Sequence, residues 1–172
     1  MSESRTLEER FERILGEYGP AIARLAYSYE AVASIREELA QEIAMAIWKA
    51  LPQFRGECSE RTFVYRIAHN RGLTHAWRRR PTYEPLEEVE DADQPVDPRP
   101  HPDELAAVKD QRERLMAAIQ SLPITYRQMM VLVLEGLSHA EMADVLGITE
   151  NNVAVRASRA RKALKEALGV RP

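Results

Sequence analysis

The chain has 172 residues, 45% of them hydrophobic and 30% charged, a size that sets one large domain or two small ones with a modest core each. No apolar run exceeds that of Met129 to Leu134, far short of the roughly 18 residues a membrane helix needs, and the first ten residues lack the apolar stretch of a secretory signal, so no membrane insertion and a cytoplasmic location are expected. A single cysteine, Cys58, excludes an internal disulfide and a multi-cysteine zinc site, and the formal charge of -3 weighs against nucleic acid only until it is divided: +2 over 1–80, -8 over 81–104 and +3 over 105–172.

Residues 1–80 read as helical. Apolar positions recur at Phe11, Ile14, Leu15, Tyr18, Ile22, Leu25, Ala26 and Tyr29, with Pro20 expected to start or kink a helix. A second helix is predicted from Ile35 to Leu51, ending at Pro52, with Leu39, Ile43, Ala46, Ile47 and Ala50 as its core stripe. Glu38, Gln41, Met45 and Trp48 share the opposite side. Exposed Met and Trp suit a partner anchor, and a Trp48 packed on the first helix fits the same periodicity.

After a loop over 53–60, Ser59 is placed to cap a third helix reaching about Arg80. Phe63, Ile67, Asn70, Thr74 and Trp77 fall on one face of it, and Tyr65, His69, Gly72 and Ala76 on the other. From Phe54 to Arg80 there are seven arginines against two glutamates, interleaved with Tyr, His and Trp. Guanidinium groups pair with phosphates and aromatic faces stack on unpaired bases, so this stretch points to nucleic acid rather than to a merely solvated face.

Residues 81–104 hold six of the ten prolines and nine acids against one arginine, the composition of an extended or disordered linker. Stretched out, it spans up to about 80 Å. The simplest organisation is thus two small helical domains, 1–80 and 105–172, on a flexible acidic Pro-rich tether.

In the second domain Leu115, Ile119, Leu122, Tyr126, Met130, Val131 and Leu134 read as core, with a break at Pro123. Ser138-His139-Ala140-Glu141 matches a capping box opening a short helix to Leu146. Gly147-Ile148-Thr149 forms a turn in which Gly147 suits a left-handed exit and Thr149 caps the next helix. With Ala143 small enough to let the helices cross, this is the pattern of a helix-turn-helix. On the last helix Val153, Ala157, Ala160, Leu164 and Leu168 form the buried stripe. Asn151, Val155, Ser158, Arg159 and Lys162 lie opposite, flanked by Asn152 and Arg156, a set suited to base edges and phosphates of a major groove, with Val155 placed for a thymine methyl.

Three segments together resemble the bacterial RNA polymerase sigma factors of the extracytoplasmic-function class, group IV of the sigma-70 family. Glu38 to Glu42 with Ala46 to Pro52 looks like region 2.2. Phe54 to Glu57, Thr62 to Arg71 and the arginines up to Arg80 look like regions 2.3 and 2.4, and Leu122 to Leu164 looks like region 4. The resemblance implies an all-α, non-enzymatic transcription initiation factor with no cofactor. It implies core RNA polymerase as partner, the beta-prime clamp helices and the beta subunit included, with Glu38, Gln41, Glu42, Met45 and Trp48 as the docking residues. It implies that Phe54, Arg55, Arg61, Tyr65, Arg66, His69, Asn70, Arg78 and Arg79 hold single-stranded minus-ten DNA. It assigns the duplex minus-35 element to Asn151, Asn152, Val155, Arg156, Ser158, Arg159 and Lys162, and implies an anti-sigma factor that masks these surfaces. Thr74, Gly72, Ala154 and Val155 stand where the family usually has Asp, Ala, Lys and Ser, and the stretch Tyr29 to Arg36 is atypical.

The competing reading is a helix-turn-helix regulator that binds duplex DNA without polymerase. Residues 1–80 lack the alternating strands and helices that a receiver domain would bring. An enzyme is disfavoured: His139-Ala140-Glu141 supplies the H-x-E of a nucleobase deaminase without the cysteine pair, His69 and His75 share no face, and Cys58 has no base.

Overall fold

A computed structural model describes residues 2–79 and 109–170, and the acidic segment at 81–104 lies outside the described residues. The N-terminal half is three helices: α1 (Ser2–Tyr29), α2 (Ala33–Ala50) and α3 (Glu60–Arg78), with a 3-10 turn at Leu51–Gln53 after α2. Pro20 neither starts nor ends a helix. It lies inside α1, where its ring costs about 3 kcal/mol in an isolated helix, and the burial of Ile14 on one side and Ile22 and Leu25 on the other holds the helix together across it.

Leu39, Ile43, Ala46 and Ile47 are buried along α2 as predicted. The chain leaves α2 through Leu51 and Pro52, and the Ser59 hydroxyl accepts the Thr62 amide at 3.0 Å to start α3. Tyr65, Ala68, His69 and Gly72 form the buried side of α3, so the Tyr and His expected to face a nucleic acid are packed inward, and Trp77 stays exposed. Gly72 is required where it stands: a Cβ there would lie 2.4 Å from the Tyr29 ring. The glycine and the tyrosine that depart from the resembled pattern are thus one packing pair.

The C-terminal half has four helices: α4 (Lys109–Ser121), α5 (Ile124–Leu134), α6 (His139–Leu146) and α7 (Glu150–Ala167). Pro123 separates α4 from α5, because the residue before a proline is pushed out of the helical region. Gly136, at φ 73°, closes α5: the Leu137 amide reaches back to the Leu132 carbonyl at 3.1 Å and the Gly136 amide to Val133 at 3.0 Å. Leu134, expected in the core, is exposed at this end. The capping box forms completely, Glu141 accepting the Ser138 amide at 2.7 Å and Ser138 accepting the Glu141 amide at 3.2 Å. Gly147 exits α6 in the left-handed region at φ 67°, and Thr149 caps α7.

The two halves, far apart in sequence, are in contact. α1 packs on α4 and α5, and α3 packs on α6, so the buried residues from Ile14 to Leu164 make one continuous core. Among the described residues there is no strand, and no helix is long and apolar enough to cross a membrane.

Candidate polymerase and nucleic-acid interfaces

α2 turns its core stripe inward, which leaves Glu38, Gln41, Glu42 and Met45 on the outside, Met45 at 58% exposure. Trp48 is half-buried, its ring 5.1 Å from Phe11 in an edge-on contact. The packed reading of Trp48 holds, and one part of its surface still borders the exposed stripe.

The loop between α2 and α3 is braced from α1. Phe54 stacks on Phe63 with ring centroids 4.4 Å apart, and the Arg10 guanidinium lies 5.0 Å over the Phe54 ring. Glu60, in the first turn of α3, accepts from Arg13 at 2.8 and 2.9 Å and from Arg10 at 3.3 Å. Its carboxyl is held below the ordinary range chiefly by the Arg13 hydrogen bond. Arg55 is exposed at the loop tip beside Gly56, whose φ is 77°.

Along α3 the predicted DNA-facing residues divide. Arg55, Asn70 and Arg78 are exposed. Arg79 pairs with Glu30 at 3.1 Å. Tyr65 is buried, and its hydroxyl donates to Glu135 at 3.1 Å. Arg61 reaches the Glu135 carbonyl at 2.6 Å and Glu141 at 3.4 Å, and Arg66 donates to the Asp144 carbonyl at 2.8 Å. His69 is 1% exposed, with Nδ1 3.1 Å from the Tyr29 hydroxyl, so it supports α3 from behind and offers no atom to a ligand. Thr74 turns back on its own helix and donates to the Asn70 carbonyl at 2.9 Å.

α7 presents the cleanest face. Val153, Ala157, Ala160 and Leu164 are buried, and Asn151, Asn152, Val155, Arg156, Ser158, Arg159 and Lys162 are all exposed, Val155 at 42%. The Thr149 cap and the α6–α7 turn fix the start of this helix, so Asn151 and Asn152 stand in its first turn and the cations follow.

Comparison with known proteins bears on both halves. Residues 14–85 match the family model "Sigma-70 region 2", and residues 112–164 match "Sigma-70, region 4". The chain belongs to the sigma-70 family, in its extracytoplasmic-function class. Its relatives include the RNA polymerase sigma factor NccH of Alcaligenes xylosoxydans xylosoxydans, 27% identical over 157 residues that cover 90% of this chain and 84% of the relative. The extracytoplasmic-function sigma-E factor of Escherichia coli K12 is 27% identical over 164 residues, covering 91% and 85%. Two solved structures share the fold: CnrH in complex with the cytosolic domain of CnrY, with TM-score 0.69, 22% identity and coverage of 96% and 91%, and RpoE in complex with the anti-sigma factor NepR from Bartonella quintana, with TM-score 0.70, 23% identity and coverage of 95% and 99%.

As a sigma factor the chain is not an enzyme: it binds core RNA polymerase and promoter DNA and directs the polymerase to promoters. A regulator independent of polymerase is not favoured, since the N-terminal half is region 2. Among the described residues there is no group of three or more His, Cys, Asp or Glu placed to hold a metal. Two acids escaped the sequence reading of this sigma factor. Glu30, 6% exposed, accepts from the Val32 amide and lies 2.9 Å from His75 as well as beside Arg79, tying the α1–α2 corner to the end of α3. Burial pushes its carboxyl up, and the Val32 amide, His75 and Arg79 outweigh this and hold it low. Glu135 is the second, joined to Arg24 by bonds of 2.6 and 2.8 Å. The sequence signal for both is a lone acid next to an apolar run, which marks a buried charge without naming its partners.

Proposed function

We propose that this sigma factor works through three separate surfaces. The α2 stripe of Glu38, Gln41, Glu42 and Met45, bordered by Trp48, docks on the clamp helices of the beta-prime subunit. The loop and outer side of α3 hold the unpaired minus-ten strand, with Phe54 and Arg55 at the loop, Arg61, Arg66 and Asn70 along the helix and Arg78 and Arg79 at its end, while Tyr65 and His69 shape the helix from beneath. The α7 face reads the duplex minus-35 element through Asn151, Asn152, Val155 and Ser158, and grips phosphate through Arg156, Arg159 and Lys162.

The assignment divides the chain into domains at 1–80 and 105–172 with 81–104 as linker, and the action is cytoplasmic, where the polymerase is. Binding of either domain raises the effective concentration of the other at the promoter, so specificity is bivalent. An anti-sigma factor completes the partner set, on the analogy of the structural neighbour solved with NepR.

The observation that carries this reading is the α7 face, where every polar residue named from the sequence is exposed on one side of a helix whose start is capped by Thr149. The test is transcription of a fragmented genomic template by core polymerase with and without the full chain, with the transcript starts sequenced. New starts that share an upstream motif are expected. Identical start profiles with and without the chain would overturn the assignment.

A further inference from the structure

The outer side of α3 ends in an exposed indole. Trp77, in the last turn of the helix, is 44% exposed, and its ring makes no hydrogen bond and no ring contact among the described residues. Around the helix Asn70, Arg71, Thr74, Trp77 and Arg78 fall within about 120° of one another, opposite the buried Tyr65, Ala68, His69 and Gly72. From Arg61 to Arg79 the chain has five arginines and no acid. Arg61 and Arg66 donate to the Glu135 and Asp144 carbonyls, and Arg79 pairs with Glu30. Arg71 and Arg78 are exposed, with no hydrogen bond or ion pair among the described residues.

An indole beside two such guanidiniums, with no carboxylate along the helix to neutralise them, fits a polyanion that also has apolar faces. A protein partner that buried the ring would need acids of its own for both cations. The ligand class is therefore DNA, and position decides which part of it. Trp77 stands 17 residues after Glu60, about 25 Å along the helix, the length of about seven base steps. The loop at the start of α3 is assigned to unpaired bases, and the domain assigned to the duplex minus-35 element follows α3 in the chain. The Trp77 end thus faces upstream, past the unpaired strand, where the DNA is paired.

We infer that Trp77 and Arg71, with Arg78 beside them, form a further DNA contact of this sigma factor, on the paired DNA immediately upstream of the minus-ten element. The inference rests on the minus-ten assignment above and extends α3 from the unpaired strand onto the duplex. Arg71 and Arg78 hold phosphates without regard to sequence, and the indole covers sugar and base edges at the groove wall. Because its ligand is paired, the contact is available before the strands open. It strengthens the first encounter with the promoter as well as the open complex.

The test uses core polymerase bound to the full chain, and a promoter taken from the sequenced transcript starts. Two fluorescent probes are titrated: the unpaired minus-ten strand alone, and a fork in which the same strand is joined to one helical turn of paired DNA upstream, without the minus-35 element. The wild type should bind the fork more tightly than the strand. Trp77→Ala should weaken fork binding about tenfold and leave strand binding within about twofold, and Trp77→Phe should keep most of the fork affinity. Arg71→Ala should make the salt dependence of fork binding shallower by about one unit of slope. Fork binding unchanged by Trp77→Ala would overturn the contact. Equal loss on both probes would overturn the duplex assignment and put the indole on the unpaired strand. If Trp77→Ala loses helix content by circular dichroism, the Arg71→Ala slope decides, and an unchanged slope rejects the contact. Failure of the wild type to bind the unpaired strand, with fork binding still dependent on Trp77, falls on the minus-ten assignment instead.

Discussion

Burial pushes the His69 imidazole down to about 3, since its Nε2 has no hydrogen-bond partner and only the Tyr29 hydroxyl faces its Nδ1. The native state therefore stays unprotonated at this site while the unfolded chain takes up a proton below about 6.5. Stability is fully present above that pH and falls as pH drops toward 3, by at most about 1.4 kcal/mol per unit. Between pH 7 and 5 the wild type should lose about 2 kcal/mol in urea unfolding that His69→Gln does not lose; parallel pH profiles would refute this. Lys162 is exposed on α7, and in the proposed minus-35 contact it contributes charge. Lys162→Ala should weaken duplex binding and make the salt dependence shallower by about one unit of slope, as read from fluorescence anisotropy at several salt concentrations.

At the scale of the helices, caps and breakers were the legible part. Ser59, Ser138-Glu141, Gly147 and Thr149 act within three or four residues of themselves, so their geometry follows from local sequence, and each stands where the pattern placed it. The buried side of α3 was not legible. Both faces carry aromatic residues, and only the position of Tyr29, forty-three residues earlier in the chain than Gly72, decides that Gly72, His69 and Tyr65 turn inward. That pair gives a prediction. Gly72→Ala gains up to about 1 kcal/mol of helix propensity and loses more to the clash with the Tyr29 ring, for a net loss of about 1–2 kcal/mol. In a Tyr29→Ala background the same change should become neutral or stabilising, a coupling measured by a double-mutant cycle.

For the molecule as a whole, the sequence marked two helical bodies and their surfaces, and not their contact. Arg24 and Glu135 are 111 residues apart, and no periodicity links them. The division of labour between the surfaces is nevertheless testable. Gln41→Ala and Met45→Ala should weaken core polymerase binding several-fold while leaving duplex binding by the full chain unchanged, since the altered atoms lie on the exposed side of α2. Equal loss of both activities would place these residues in the fold rather than at a docking surface. The brace on the loop between α2 and α3 bears on where the chain can be cut. The region 2 match begins at residue 14, and a protein trimmed to start there would keep α2, α3 and most of α1. It would lose Arg10 from the Phe54 ring, and with Arg13 the guanidiniums that hold Glu60 at the start of α3. Such a trimmed protein should show faster amide exchange over 54–62 than the full chain. Arg10 and Arg13, outside the family boundary, are therefore structural members of the loop between α2 and α3.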